Sequence, residues 1–169
     1  MEFLYLRQAG VEDRKLLFDW RNDPLVRRNS FTTDPVAWED HVRWFGRLMD
    51  DPQARQYILI AAEAENAGIP VGQIRLKACE DDPCAYEIGY SVAAEARGRG
   101  YGRALLEIIK EQAPKDLPRL HTLIGRVKKD NPASAAAFRS AGYTHAETQP
   151  CDVFTFTCRE PAMKRYIPQ

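Results

Sequence analysis

The feature that most constrains the fold is a glycine-rich segment, Arg97-Gly-Arg-Gly-Tyr-Gly102, placed between a predicted strand and a predicted helix. Glycines let backbone N–H groups approach an anion closely. The following helix adds its free N–H groups and the positive end of its dipole. Arg97, Arg99 and Arg103 add charge, so a pyrophosphate would fit here. The simpler interpretation is a tight turn with solvated arginines, and the strand–glycine–helix order favours the anion site over it.

Two common phosphate-binding motifs do not match this segment. No Lys-Ser/Thr pair follows the glycines, which excludes a P-loop. The third glycine of the dinucleotide fingerprint is absent, and three strands come before the strand that leads into the segment. The expected ligand is therefore an anion held in another way.

Length and charge exclude several classes of protein. The chain has 169 residues, which predicts a single domain over 1–169. Lys plus Arg and Asp plus Glu both number 24, so the net charge is zero and no field favours nucleic acid or a membrane surface. The longest apolar run, Tyr57–Ala62, is far shorter than the ~20 residues of a membrane span. The first residues lack the features of a secretory signal, so we expect a cytoplasmic protein.

The four cysteines do not indicate a metal site. Cys79, Cys84, Cys151 and Cys158 match no zinc spacing, and no paired histidines lie nearby. We expect reduced thiols, some of them buried, and no metal. A Cys79–Cys84 disulfide is an alternative that no other feature supports.

Hydrophobic periodicity and turn residues predict a mixed α/β layer with the order β-α-α-β-β-β-α-β-α-β. Strands are predicted at Glu2–Arg7, Gln56–Glu63, Val71–Lys77, Ala85–Val92, His121–Val127 and Asp152–Cys158, with one more after Gly142 left open. Helices are predicted at Glu12–Asn22, from an Asp34-Pro35 start, from the glycine-rich segment to Pro114, and from Asn131-Pro132 to a left-handed Gly142. The segment Asn66–Pro70 predicts a turn.

The glycine-rich segment resembles the acetyl-CoA signature (Gln/Arg-x-x-Gly-x-Gly/Ala) of the GNAT family of N-acetyltransferases. The strand Tyr86–Val92 looks like the family's fourth strand. The segment from Asn131 through Ser134 and Phe138 to Gly142-Tyr143 looks like its fourth helix and the turn beyond. The resemblance covers nearly the whole chain. It implies a mixed, mostly antiparallel sheet flanked by helices, with acetyl-CoA in the cleft between two splayed parallel strands.

The resemblance also implies how acetyl-CoA is held. The backbone of Val92 and Ala94 would pair with the pantetheine arm, and the amides of Arg97–Gly102 would hold the pyrophosphate. Asn131 would reach the pantetheine from the other side, or cap the helix that Pro132 begins, or both. The residues expected at the cofactor are Val92, Ala94, Arg97, Gly98, Arg99, Gly100, Tyr101, Gly102, Asn131 and Phe138.

Glu87 is the predicted general base. It alternates with Tyr86 and Ile88, so its side chain points to the face opposite these apolar residues. A carboxylate partly desolvated in a cleft can have its pKa raised toward neutrality. The family also places a strand glutamate near the amine, often acting through water. The alternative is a strand residue that faces solvent. The amide near Val92 would donate to the developing oxyanion.

The proton donor for the leaving thiolate departs from the family pattern. Many members carry tyrosine seven residues after the helix-opening asparagine, and here that residue is Phe138. Ser134 stands three residues after Asn131, and some relatives that acetylate protein N-termini use a serine there. We predict Ser134 as the donor; a small residue that allows close cofactor approach is the alternative.

The N-terminal third carries the predicted acceptor site. Aromatic faces suit a base or sugar, and arginine forks suit phosphate. The pattern Trp-Arg-Asn, then Arg and Asn-Ser-Phe, then His-x-x-Trp-Phe is similar to the branch that acetylates UDP-linked 4-amino-4,6-dideoxy sugars for pseudaminic acid. Burial of the aromatic rings in the core is the alternative. The residues predicted to bind substrate are Trp20, Arg21, Asn22, Arg27, Ser30, Phe31, His41 and Trp44.

Three functions stay open at this point. The first is acetyl transfer to the amine of a nucleotide-linked amino sugar. The second is acetylation of protein N-termini, because the Trp-Arg-Asn start is shared with the ribosomal-protein branch; an acidic or open groove would favour it. The third is a non-catalytic acetyl-CoA-binding module, which a buried and sequestered Glu87 would favour. The oligomeric state also stays open, a homodimer included.

Overall fold

The computed structural model describes residues 2–63 and 66–158. They form one seven-stranded sheet with helices on both faces. The strands are β1 Glu2–Gln8, β2 Ala54–Glu63, β3 Asn66–Ala78, β4 Ala85–Val92, β5 Thr122–Lys128, β6 Thr144–Glu147 and β7 Cys151–Thr157. The α-helices are α1 Arg14–Asn22, α2 Pro24–Asn29, α3 Trp38–Asp50, α4 Tyr101–Asp116 and α5 Pro132–Ser140. Short 3-10 turns occur at Val11–Asp13 and Ala94–Ala96.

The sheet order is β1-β2-β3-β4-β5-β7-β6, and every neighbouring pair is antiparallel except β4–β5. This confirms the predicted mixed, mostly antiparallel sheet flanked by helices. Among the described helices, none is long and apolar enough to cross a membrane.

The interior strand β2 is buried on both faces, which explains its continuous apolar run. Tyr57 and Leu59 pack into the larger core, against α4 and α5. Ile58 and Ile60 pack into a smaller core with α1 and α3. The helices that carry the predicted acceptor residues therefore lie on one face of the sheet, and the helix after the glycine-rich segment lies on the other.

The start of α3 corrects one prediction. The helix begins at Trp38 with Ala37 as its N-cap, and Asp34-Pro35 lies before it. The amide of Asn22 explains the shift, because it donates to the carbonyl of Val36 at 3.0 Å and accepts from the Val36 N–H at 2.8 Å. These two bonds hold the chain in a non-helical path up to that residue.

The predicted turn at Asn66–Pro70 is also wrong, since these residues are the first part of β3. The ladder between β2 and β3 shifts register opposite this segment, and such a bulge accommodates proline within a strand. The sequence analysis also missed α2, which Asp23 caps by accepting from two backbone N–H groups. The left-handed Gly142, with φ 79°, is confirmed, and the strand left open after it is present as β6.

The four cysteines are free thiols in the structure. Cys151 and Cys158 are buried, and Cys79 and Cys84 are half-buried. Within residues 2–63 and 66–158, no group of three or more His, Cys, Asp or Glu side chains could hold a metal ion.

Candidate active site

The parallel strands β4 and β5 separate part-way along their length. They pair only from Ala85 to Ile88 on β4, while β4 continues beside β3 to Val92. In that antiparallel pair Ala93 donates its N–H to Val71, so alternate residues bond toward β3. The main-chain groups of the intervening residues, Tyr90 and Val92, therefore point toward the gap. The predicted splay between two parallel strands is confirmed.

A cavity of about 1210 Å³ extends from this gap to the glycine-rich segment. Its lining includes the predicted catalytic residues Glu87 and Ser134. It also includes Val92 and Asn131 from opposite sides of the gap, and Gly100 at the far end. The fold thus brings together residues from β4, from the turn before α4 and from α5, which lie up to 47 positions apart in the chain.

The glycine-rich segment has the backbone of an anion cradle. Gly98 and Gly100 have φ of 77° and 83°, in the left-handed region, and a Cβ on either would meet no other atom within 4 Å. Gly100 is the N-cap of α4, and no side chain of the described residues caps that helix. The first N–H groups of the helix are therefore available to a ligand. These features fit a pyrophosphate bound by the backbone.

The arginines of this segment do not supply free charge as the sequence analysis expected. Each guanidinium is paired with a carboxylate at Arg97–Asp23 2.6 Å, Arg99–Glu2 3.1 Å and Arg103–Glu107 2.7 Å. The Asp23 pair ties the segment to the N-cap of α2. The backbone and the helix dipole thus remain as the main source of attraction for an anion.

The other residues predicted at the cofactor differ in whether they line the cavity and in what their side chains contact. Ala94 is exposed in a 3-10 turn and, like Arg99, does not line the cavity. Asn131 caps α5, because its side-chain oxygen accepts from the N–H of Ser134 at 3.2 Å. The ring of Phe138 is 2% exposed and stacks on Phe154.

Glu87 lies in the cavity but is less desolvated than expected. Its side chain is 45% exposed, and its carboxylate accepts from Nε of Arg126 at 3.2 Å. The arginine comes from the diverging end of β5, so the pair spans the gap. Because the carboxylate faces the cavity, the feature that would have favoured a non-catalytic binding module is missing.

Ser134 is hydrogen-bonded to a residue that the sequence analysis did not single out. The hydroxyl of Tyr90 donates to Oγ of Ser134 at 3.0 Å. Burial raises the pKa of Tyr90, and the bond to Ser134 opposes that shift. Both residues line the large cavity.

A second cavity, of about 450 Å³, adjoins the first on the face covered by α1–α3. It brings together five of the predicted acceptor residues: Trp20, Arg21, Ser30, His41 and Trp44. Phe31 lines the first cavity and is 59% exposed. Asn22 and Arg27 line neither cavity; Asn22 holds Val36, and Nε of Arg27 donates to the carbonyl of Thr33.

Two arginines shared by both cavities lack anionic partners. Nη1 of Arg21 is buried without a hydrogen bond among the described residues, and its Nη2 donates to the carbonyl of Thr32 at 2.9 Å. Arg75 forms no hydrogen bond or ion pair in residues 2–63 and 66–158, and its guanidinium lies 5.5 Å from the ring centroid of Trp44. Burial lowers the pKa of both groups, and Arg21 lowers that of Arg75 further, against the opposing charge of Glu87. Two such cations require an anion from elsewhere.

His41 is placed as a structural residue of the acceptor cavity. It is 1% exposed, and its Nε2 is bonded to the carbonyl of Arg14 at 2.8 Å. Burial lowers its pKa. Its ring packs among aromatic side chains of α1 and α3, so it shapes the wall beside Trp44.

Sequence reasoning missed a row of polar side chains along the floor between the cavities. Gln56 donates to Gln73 at 2.7 Å, and Gln73 donates to Ser91 at 3.1 Å. Arg75 belongs to the same face of the sheet. A signal was present, because Gln73 and Arg75 alternate with Ile74 and Leu76 on the predicted strand Val71–Lys77.

The comparisons with known proteins agree with this fold and cleft. The model of the acetyltransferase (GNAT) domain family matches residues 4–144. The chain therefore belongs to the GNAT family of acetyltransferases. Acetyl-CoA is the co-substrate of this family.

One curated protein and two solved structures show what the chain is similar to within this fold. The chain is 25% identical over 138 residues to the acetyltransferase PseH of Campylobacter jejuni, covering 81% of this chain and 80% of that protein. A domain from Methanocaldococcus jannaschii superposes with a TM-score of 0.77 at 20% identity, covering 93% of this chain and 99% of that one. Spermidine N-acetyltransferase from Vibrio cholerae, in complex with CoA and spermine, gives 0.76 at 16% identity, with 92% and 95% covered. At these identities the two structures show the shared fold.

Proposed function

We propose that this acetyltransferase transfers the acetyl group of acetyl-CoA to a primary amine of a sugar linked to a nucleoside diphosphate. The amine attacks directly while both substrates are bound. The observation that carries the proposal is a pair of arginines without a carboxylate partner among the described residues, Arg21 and Arg75, where the acceptor cavity meets the cleft.

The backbone geometry supports the proposed position of acetyl-CoA in the cleft. The amides around Gly98 and Gly100 hold the pyrophosphate at the start of α4. The outward main-chain groups of Tyr90 and Val92 pair with the pantetheine arm in the place that a continued β5 would occupy. Asn131 lines the opposite side, with its carbonyl oxygen engaged in the cap and its NH₂ group left to donate.

Bound acetyl-CoA supplies an activated acyl group, and the chain supplies the proton transfers. Glu87 takes a proton from the amine, directly or through a water molecule, because its exposed carboxylate faces the cavity. The outward N–H near Val92 donates to the carbonyl oxygen as negative charge develops there. Ser134 donates to the leaving sulfur from α5. The C–N bond forms as the C–S bond breaks, and the electron pair of the C–S bond leaves with sulfur.

The acceptor half favours a doubly charged anion beside a ring. Two guanidiniums without counter-ions match a diphosphate, and charged hydrogen bonds of this kind are worth roughly 1.5–3 kcal/mol each. Exposed Phe31 at the edge of the cleft offers a face for a base. The similarity to PseH supports a sugar amine as the acceptor.

The same arginines weigh against cationic acceptors. A polyamine or a peptide N-terminus carries positive charge and would be repelled by Arg21 and Arg75. The fold is shared with a spermidine acetyltransferase, but the smaller cavity of this chain is lined by four arginines, Arg21, Arg43, Arg47 and Arg75, against one carboxylate, Asp40.

Binding of UDP tests the proposal whatever sugar the nucleotide carries. We expect UDP to bind, measured by calorimetry in the presence of CoA, and to compete with the acceptor. Arg75→Met should weaken UDP binding at least about tenfold, which corresponds to about 1.4 kcal/mol. Arg28→Met, on the exposed side of α2 and outside both cavities, is the matched control and should bind UDP as wild type does. Absence of UDP binding to the wild-type protein would refute the nucleotide-linked acceptor.

A further inference from the structure

The hydroxyls of Tyr90 and Ser134 form a pair that spans the floor of the large cavity. Tyr90 comes from the diverging part of β4 and Ser134 from the first turn of α5, and their oxygens are 3.0 Å apart. We propose that Tyr90 is the positioning residue for protonation of the leaving thiolate, acting through Ser134. This inference rests on the proposed acetyl transfer and on Ser134 as the donor to sulfur.

The direction of the hydrogen bond is the first argument. A phenol is a stronger acid than an aliphatic hydroxyl and is therefore the better donor of the two, which leaves the serine hydrogen free to point elsewhere. The serine N–H is already bonded to Asn131, which fixes the first turn of α5. Both residues line the cavity, so the cleft is the outlet open to the free serine hydrogen.

The state of the phenol is the second argument. Tyr90 is half-buried, with its ring edge-on to Phe138 at 5.9 Å and Cε2 close to the position a Cβ of Gly102 would take. Burial raises its pKa against the opposing bond to Ser134. The phenol therefore stays protonated at neutral pH and acts as a donor. A donated bond strengthens the acidity of the accepting hydroxyl, because hydrogen bonds in a chain polarise one another.

The placement across the sheet is the third argument. Successive side chains of a strand point to opposite faces, so Glu87 lies on the α1–α3 face and Tyr90 on the α4–α5 face. The amine proton is then removed on one side of the gap, and the sulfur is protonated on the other. The two proton transfers therefore use separate groups.

The other hydroxyl and aromatic groups on this side are less suited. Phe138 cannot donate, and its ring is packed between Phe154 and Tyr143. The hydroxyl of Tyr101 is committed to Glu2 at 2.8 Å, and that of Tyr143 to the carbonyl of Leu106 at 3.1 Å.

The proton balance is simple. As the C–S bond breaks, sulfur takes the electron pair and the hydrogen of Ser134. Tyr90 shares its own hydrogen with Ser134 Oγ, and the pair regains one proton from water in the open cleft. The amine proton leaves through Glu87, so thiol and amide are the only products.

The test compares Tyr90→Phe, Ser134→Ala and the double variant by steady-state kinetics. Thiol release is followed with the nucleotide-linked amino sugar and, separately, with water as the acceptor, because hydrolysis of acetyl-CoA needs the same leaving group but no amine site. We expect Tyr90→Phe to lower kcat about tenfold or more in both assays, with the KM for acetyl-CoA within about twofold of wild type. The kcat of the double variant should lie within about threefold of the kcat of Ser134→Ala, since the two residues act as one unit.

Tyr143→Phe is the matched control. It removes a buried tyrosine hydroxyl from the same aromatic cluster and should leave kcat unchanged even if it lowers the melting temperature.

The inference is overturned if Tyr90→Phe keeps wild-type kcat, if its defect lies only in the KM for acetyl-CoA, or if the effects of Tyr90→Phe and Ser134→Ala on kcat multiply in the double variant. If the amino sugar is not acetylated while Tyr90→Phe still slows hydrolysis, the proposed acceptor is wrong and the role of Tyr90 stands. If Tyr90→Phe does not fold, Ser134→Ala alone decides. A wild-type kcat in that variant would overturn the inference, because Tyr90 is proposed to act through Ser134.

Discussion

At the scale of single residues, the cleft depends on charges that have no carboxylate partner within the described residues. Arg21 and Arg75 keep positive charge beside the acceptor cavity, while the arginines of the glycine-rich segment are neutralised by carboxylates. Residue type alone does not distinguish these cases. The distinction depends on which side chains the fold brings within hydrogen-bond distance.

Glu87 carries the prediction that belongs to this scale. Glu87→Gln should lower kcat by about 10²–10⁴-fold, the usual range for loss of a general base, with little change in acetyl-CoA affinity. Glu80→Gln removes the same charge at the mouth of the cavity and serves as the control. The rates are measured by thiol release and the affinity by calorimetry. A Glu87→Gln enzyme that turns over at the wild-type rate below pH 7, where amines are mostly protonated, would show that Glu87 is not the base.

At the scale of secondary-structure elements, the turn from β4 into α4 is the part of the site that sequence predicted best. Its glycines, its strand and its helix are local features, so their order along the chain is sufficient. Arg75 and Tyr90 were missed for the opposite reason. Their roles arise from pairing between β3 and β4 and from the contact of β4 with α5, which are long-range features.

The glycine-rich turn gives a direct prediction. Gly100→Val should weaken acetyl-CoA binding at least about tenfold, or about 1.4 kcal/mol. Gly100 has φ of 83°, which a β-branched residue adopts only with strain, and its open side is where the pyrophosphate is proposed to lie. Calorimetry with CoA measures the effect, and the melting temperature of the apo protein separates strain from lost binding. An unchanged dissociation constant would show that the pyrophosphate does not bind at this turn.

The junction between β1 and the first helical turn gives a prediction about pH. Arg7 donates to both carboxylate oxygens of Asp13 at 2.7 Å, and the N–H of Gly10 donates to one of them at 2.9 Å. The bonds from Arg7 lower the pKa of Asp13, against the opposing effect of burial. The unfolded chain therefore takes up this proton at a higher pH than the folded chain. The stability that the pair contributes is present above the unfolded pKa of about 3.9 and is lost as pH falls through the folded value.

Asp13→Asn should accordingly lower the free energy of unfolding at pH 7 by about 2 kcal/mol and flatten its decline in acid. Denaturant titrations between about pH 7 and pH 2 measure both effects. Asp34→Asn, which changes an exposed carboxylate, should keep the wild-type acid dependence. An Asp13→Asn protein with the full wild-type slope would show that the pair does not control it.

At the scale of the whole molecule, one sheet separates the two proposed binding regions. The glycine-rich segment lies with α4 and α5 on one face, and the smaller cavity lies on the face covered by α1–α3. The gap between β4 and β5 connects them. The sequence predicted the sheet type and this splay through family resemblance, and five of the eight predicted acceptor residues line the smaller cavity. It did not predict that Asn22 and Arg27 would be used to hold the loop after α2, because that use depends on the path of residues 30–36.

The central claim is that this acetyltransferase selects an amine by the diphosphate attached to it. The most direct measurement is thiol release at saturating acetyl-CoA with four amines: a UDP-linked 4-amino-4,6-dideoxy sugar, the same amino sugar without its nucleotide, spermidine, and a peptide with a free N-terminus. We predict the highest kcat/KM for the UDP-linked sugar, with at least about a tenfold loss when the nucleotide is removed. The reason is that two charged hydrogen bonds of roughly 1.5–3 kcal/mol each are then absent. Equal rates for the linked and free sugars, or a preference for spermidine or the peptide, would contradict it.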